Sequence, residues 1–154
     1  MTAPLRLERT FDASAPEVFD AWTNPLVLQR WWAAFPTWDS PGCEVDLRVG
    51  GRYRLQMRDP ETERVHIVGG TYHEIDRPNR LVYSWCWEGD DGANPGHESL
   101  VTVHFAQTGE RTTVVLEHTG LPSDESREQH GAGWLGTFDN LERRVLDESN
   151  QPND

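Results

Sequence analysis

The chain has 154 residues, 36% of them hydrophobic, with seven tryptophans, which supports a folded core and argues against disorder. A formal charge of −12 opposes nucleic-acid phosphates and an anionic membrane surface, so no nucleic acid and no membrane is expected as a partner. No stretch approaches the ~20 apolar residues of a bilayer span, and the opening MTAPLRLERTF lacks a signal peptide's apolar segment, so a cytoplasmic location is expected.

In chain order, residues 4–11 alternate Leu5, Leu7 and Phe11 against Arg6, Glu8 and Thr10, the period of a strand. Ser14 and Glu17 have capping-box spacing at the start of a helix over about 15–22, with Val18, Phe19 and Trp22 as its apolar face. Asn24-Pro25 restarts a second helix over about 25–33, with Leu28, Trp31 and Trp32 inward. A Pro-bearing loop (34–41) leads to strands at 43–49 and 51–58, joined by a Gly50-Gly51 turn. Tyr53, Leu55 and Met57 face one way, and Arg52, Arg54, Gln56 and Arg58 the other. Strand 65–75 carries Gly69-Gly70, a signal for a bulge or a close backbone approach.

Strand 80–87 follows, with Leu81, Tyr83, Trp85 and Trp87 on one face, then an acidic loop at 88–96 and strands at about 97–106 and 111–119. Ser123 caps a last helix running to about Glu148. His130, Trp134, Phe138, Leu141 and Val145 recur along it at steps of three and four. The pattern predicts an α+β fold: an antiparallel sheet, apolar on one face and Arg-rich on the other, packed against a long C-terminal helix, with two short helices after the first strand. A single domain over 1–148 and a polar tail at 149–154 are expected.

Four blocks resemble one family: FDASAPEVFDAWTNP with the RWW that follows; VDLRVGGRYRLQMRDP; GTYHEIDRPNRLVYSW; and LEHTGLP leading to HGAGW. Taken together, in this order, they are similar to the SRPBCC (START/Bet v 1-like, helix-grip) superfamily, in the branch related to the activator of heat-shock-protein-90 ATPase. The resemblance implies a curved antiparallel sheet wrapped around the C-terminal helix, with a hydrophobic cavity between them. Superfamily relatives bind lipids, hormones and polyketides, some cyclise polyketides, and the eukaryotic activator stimulates a chaperone. A shared fold does not choose among these roles. The sequence shows no counterpart of the eukaryotic activator's separate N-terminal domain, so a chaperone partner is not expected, and a co-chaperone-like interaction protein that stimulates an ATPase is kept as an alternative reading.

The residues point to a small hydrophobic molecule as partner. Trp31, Trp32, Tyr53, Tyr83, Trp85, Trp87, Trp134 and Phe138 are the candidate ligand contacts, because clustered indoles and phenols pack apolar surface while their N–H and O–H groups need partners. His118 and His130 are candidates to orient the ligand's polar end. With Glu98 as a buried carboxylate they are also the candidate catalytic groups of a cyclase- or hydratase-like alternative. Glu74 is a second candidate buried carboxylate, and Arg48, Arg52 and Arg54 are read as cross-strand ion-pair partners. Ser99 sits in no GxSxG elbow and shows no His–Asp relay.

The remaining histidines have no zinc spacing, so no metal and no cofactor is expected. Cys43 and Cys86 are read as free thiols. Every basic residue other than histidine is Arg, which excludes lysine Schiff-base chemistry. An open sheet edge leaves room for a homodimer. Gly131, Gly133 and Gly136 weaken the last helix by on the order of 1 kcal/mol each, so close packing at that point is expected.

Overall fold

Three polar caps set the helices. Ser14 Oγ accepts from Glu17 N at 3.3 Å and opens α1 (Ala15–Thr23). Asn24 Oδ1 accepts from Leu26 N at 3.0 Å and opens α2 (Pro25–Trp31). Ser123 Oγ accepts from Ser126 N at 3.1 Å and opens α3 (Asp124–Leu141). Each cap serves an amide that the helix itself leaves without a partner. The computed structural model describes residues 3–88 and 97–146. Most of the acidic loop expected at 88–96, the end of the last helix near Glu148 and the tail at 149–154 lie outside them.

The strands are β1 (Leu5–Phe11), β2 (Cys43–Val45), β3 (Arg52–Arg58), β4 (Val65–Asp76), β5 (Arg80–Trp87), β6 (Ser99–Thr108) and β7 (Arg111–Thr119). They form one antiparallel sheet in the order β1-β7-β6-β5-β4-β3-β2. The sheet curves around α3, and the α+β helix-grip architecture results. Its second strand is shorter than the 43–49 expected, because the chain turns at 46–50, where Gly50 takes φ +85°. The β4–β5 register shifts between Tyr72 and Glu74, a bulge that helps the sheet bend. Gly69 and Gly70 serve close approach instead: a Cβ on Gly70 would run into the Ser84 carbonyl, and one on Gly69 would sit 2.8 Å from the Tyr53 carbonyl.

The alternation of β3 holds. Tyr53, Leu55 and Met57 are buried, while Arg54 and Arg58 form ion pairs with Glu88 and Asp39 on the solvent side. Glu74 is likewise on the surface, paired with Arg80 at 3.1 Å. Along α3, His130, Trp134, Phe138 and Leu141 are buried, and Val145 continues the face into a π-helical segment, Glu142–Leu146. α1 packs through Phe19 and Trp22 onto Phe105 of β6, with ring centroids 5.3 and 5.8 Å apart.

The loop after α2 is fastened to α3. Buried Asn140 donates to the carbonyls of Ala33 (2.9 Å) and Phe35 (3.1 Å), and Arg144 donates to those of Pro36 and Trp38. Gly136 makes the approach possible, since a Cβ there would collide with the Ala34 carbonyl oxygen. Close packing does not explain all three helical glycines. Gly131 lies beside Leu5, whereas a Cβ on Gly133 would meet nothing within 4 Å. The two substitutions therefore have opposite signs. Gly133→Ala is expected to raise stability by up to ~1 kcal/mol through helix propensity. Gly136→Ala is expected to lower it by ~1–3 kcal/mol through overpacking against the loop. Thermal melts of the two variants side by side check this.

Candidate functional site

The open space beside Gly133 is a cavity of about 370 Å³. α3 supplies one wall, from Gln129 and His130 to Trp134 and Thr137. Trp32, Ala34 and Phe35 supply a second, and Met57 of β3 with Trp85 and Trp87 of β5 supply the third. The fastened loop thus forms a rim, and the sheet face forms the floor. Among the described residues no charged side chain is in the lining.

Of the expected contacts, Trp32, Trp85, Trp87, His130 and Trp134 come together here. The other five stand elsewhere, because the centre of the sheet–helix interface is filled. Trp31 is fully buried among Trp22 and Trp32, its indole donating to the Ala21 carbonyl at 3.0 Å. Tyr53 and Tyr83 pack on each other with centroids 5.2 Å apart, and border a separate void of only about 10 Å³. Phe138 packs between Phe11 and Trp22. Trp134 and Trp85 lie 4.9 Å apart, so these rings close off the middle and leave the hollow to one side of it. Phe35, Met57, Gln129 and Gly133 are lining residues that the sequence reading missed. Phe35 lies in a loop with no periodicity to read, and strand alternation places Met57 on the apolar face without giving its depth along the sheet.

His118 and His130 do meet, with ring centroids 5.0 Å apart, and their hydrogen bonds fix their chemistry. His130 Nε2 accepts from two indoles, Trp87 at 3.1 Å and Trp85 at 3.3 Å. Its Nδ1–H therefore donates to the Ser126 carbonyl at 2.8 Å. His118 Nδ1 accepts from Trp134 Nε1 at 3.1 Å, so its Nε2–H donates to Ser99 Oγ at 2.7 Å, and Ser99 donates on to the Trp85 carbonyl at 3.4 Å. In this chain of bonds the imidazole donates to the serine, the reverse of what activates a serine nucleophile.

Burial lowers the pKa of both rings. His118 falls from 6.5 to about 3, with desolvation first and the neighbouring His130 second. His130 falls too, through desolvation, against a smaller upward pull from its bond to the Ser126 backbone. Each is a neutral hydrogen-bond hub whose basic nitrogen is already occupied.

Glu98 does not join them. It is exposed on the sheet's other face, where it lines a polar groove with Arg52, Arg54 and Glu88. It is not the buried carboxylate expected, because the residue that enters the core at the start of β6 is its neighbour Ser99. Arg48 pairs with Asp46 and Arg54 with Glu88, so neither reaches the cavity. Among the described residues no three His, Cys, Asp or Glu side chains are grouped to hold a metal ion, and both cysteines are free. Nor is any helix among them long and apolar enough to cross a membrane.

Residues 12–145 match the family described as activator of Hsp90 ATPase homolog 1-like protein. Among solved structures, the chain is similar to the AHSA1-like protein of Aeromonas hydrophila, at 29% identity over 99% of this chain and 98% of that one, with a TM-score of 0.78. The AHSA1 protein of Silicibacter pomeroyi is similar at 26% identity, over 95% of this chain and 99% of that one, with a TM-score of 0.82. A Chromobacterium violaceum protein at 23% identity shares the fold over 92% of this chain and 96% of its own, with a TM-score of 0.77. No curated protein matches the sequence.

The neutral imidazoles give stability a pH dependence of definite sign. Unfolding frees both rings to protonate near 6.5, so below that value the unfolded chain binds more protons than the folded one. Stability is therefore full above about pH 7 and falls as pH drops toward the folded value of about 3 for His118. Denaturant titrations between about pH 6.5 and pH 5 are expected to show a loss of up to ~1.4 kcal/mol per pH unit from His118, with His130 adding in the same direction, and His118→Gln is expected to remove the larger share of the slope.

Proposed function

The chain belongs to the activator of Hsp90 ATPase homolog 1-like family, and from that premise we propose that it is a binding protein for a small, mainly hydrophobic molecule held beside α3. One observation carries the reading: a cavity of about 370 Å³ whose walls include four indoles and, among the described residues, no charged side chain. That volume is in the range of small-molecule pockets, ~300–1,000 Å³, and an apolar lining with few polar groups is their usual character. Trp32, Trp85, Trp87 and Trp134 would contact the ligand, and His130 would hold two of these indoles in place rather than orient the ligand's polar end.

Binding without turnover is favoured over a cyclase- or hydratase-like reaction. A general acid or base needs a proton site free to exchange near the working pH. His118 and His130 are neutral and fully engaged, and Glu98 is on the other face of the sheet. The proposal includes one domain over residues 1–148, with 149–154 as a polar tail, working in the cytoplasm. It requires neither a second copy of the chain nor a chaperone.

Gly133 supplies the test. It lines the cavity, and a side chain there would grow into open space. The neutral fluorescent probe N-phenyl-1-naphthylamine is expected to bind the wild-type protein at one site. Gly133→Leu is expected to weaken that binding at least ~10-fold while leaving the melting temperature unchanged or higher, since Leu is the better helix former. Probe binding that is absent from the wild type, or indifferent to Gly133→Leu, counts against a container at this place.

A further inference from the structure

Three of the four cavity indoles have their N–H groups engaged. Trp85 and Trp87 donate to His130, and Trp134 donates to His118. The fourth is different. Trp32 is 2% exposed, and its Nε1 is buried without a hydrogen-bond partner among the described residues. An unpaired buried donor costs ~1–3 kcal/mol. Elsewhere the core provides for such groups: Trp22 donates to the Tyr83 hydroxyl and Trp31 to the Ala21 carbonyl. The Nε atoms of Arg80 and Arg127 are also buried without a partner among the described residues, but of the three only Trp32 borders the cavity.

The rest of the wall restricts what can answer it. A charged ligand would find no counter-ion among the described lining side chains, and burying an unpaired charge is far more costly than burying a neutral polar group. His130 offers the ligand nothing on Nε2, which already accepts two bonds, and its Nδ1–H is held by Ser126. The Thr137 hydroxyl donates to the Trp134 carbonyl at 2.8 Å. Gln129 is exposed, so among the described lining residues the unengaged buried donor is Trp32 Nε1, on a ring packed against Trp31, Trp85 and Trp134 whose faces and edges suit a planar apolar frame.

We propose that the ligand is an uncharged, planar, largely apolar molecule carrying a carbonyl-type oxygen, and that this oxygen accepts the hydrogen bond of Trp32 Nε1. The inference rests on the container reading above and adds the ligand's polar chemistry to it. A rival occupant exists for the same donor. Trp32 also borders the void of about 10 Å³ beside Tyr72 and Tyr83, which is near the lower limit for one water molecule. A water held there would satisfy the indole and leave it blind to the ligand.

Fluorenone and fluorene separate these outcomes, because they share one tricyclic frame and differ by a carbonyl in place of a methylene. Titrated into the wild-type protein by calorimetry, fluorenone is expected to bind ~10-fold tighter than fluorene, despite the hydrocarbon's greater apolarity. Trp32→Phe, which keeps a ring and removes the N–H, is expected to bring the two within about twofold. Using the ratio cancels packing losses common to both ligands. The carbonyl stretch of bound fluorenone, lowered in frequency in the wild type, gives a second readout that needs no variant. Equal wild-type affinities, a preference that survives Trp32→Phe, or an unshifted carbonyl stretch would overturn the carbonyl inference while leaving the container intact. Binding of neither compound would overturn this inference, and absence of N-phenyl-1-naphthylamine binding as well would overturn the container reading with it.

Discussion

A buried indole N–H left without an acceptor is costly, and three indoles around the cavity find theirs off the backbone. Two imidazoles supply these acceptors. His130 accepts from Trp85 and Trp87, and His118 accepts from Trp134. Burial keeps both rings neutral, and neutrality is what leaves a lone pair on each to accept with. The same bonds tie α3 to β5 and, through Ser99, to β6. The wall of the cavity is therefore a hydrogen-bonded lattice of rings, stiffer than aromatic packing alone would make it.

That stiffness explains how a hollow persists in a domain of this size. Trp134 and Trp85 meet at the centre and fill it, with Trp31 and Phe138 packed behind. Collapse of the remaining space would require α3 or the loop at 33–38 to move inward. α3 is held by its imidazole bonds, and the loop is held by Asn140 and Arg144. Gly136 lets the loop approach the helix, and Gly133, three residues earlier, leaves the space open. A bulky side chain at the first position would push the loop away, whereas at the second it would fill the cavity.

The architecture was legible in the sequence because it depends on periodicity and caps. The alternation at Tyr53, Leu55 and Met57, the steps from His130 to Val145, and the Ser14, Asn24 and Ser123 caps each identify an element by local pattern. The family blocks gave the same order of elements. Which aromatics line the cavity was less legible. Periodicity assigns a residue to a face but not to a depth along a curved sheet, so Tyr83 and Trp85, both inward on β5, end up in different surroundings. Trp31 and Trp32 are adjacent at the end of α2, and only the path of the loop decides that one is core and the other wall. Glu98 shows the same limit: a strand that begins at Ser99 sends its first inward side chain one residue later than expected. The pairing of imidazole with indole joins β5, β7 and α3, and no local spacing encodes it.

The central claim is that the space beside α3, and not the packed core next to it, receives the ligand. The indole region of a 15N–1H correlation spectrum tests this most directly, because each tryptophan contributes one N–H signal. On addition of a neutral aromatic probe, the signals of Trp32, Trp85, Trp87 and Trp134 are expected to shift while those of Trp22 and Trp31 remain in place. Shifts centred on Trp22 and Trp31, or a spectrum unmoved at saturating probe, would contradict the account.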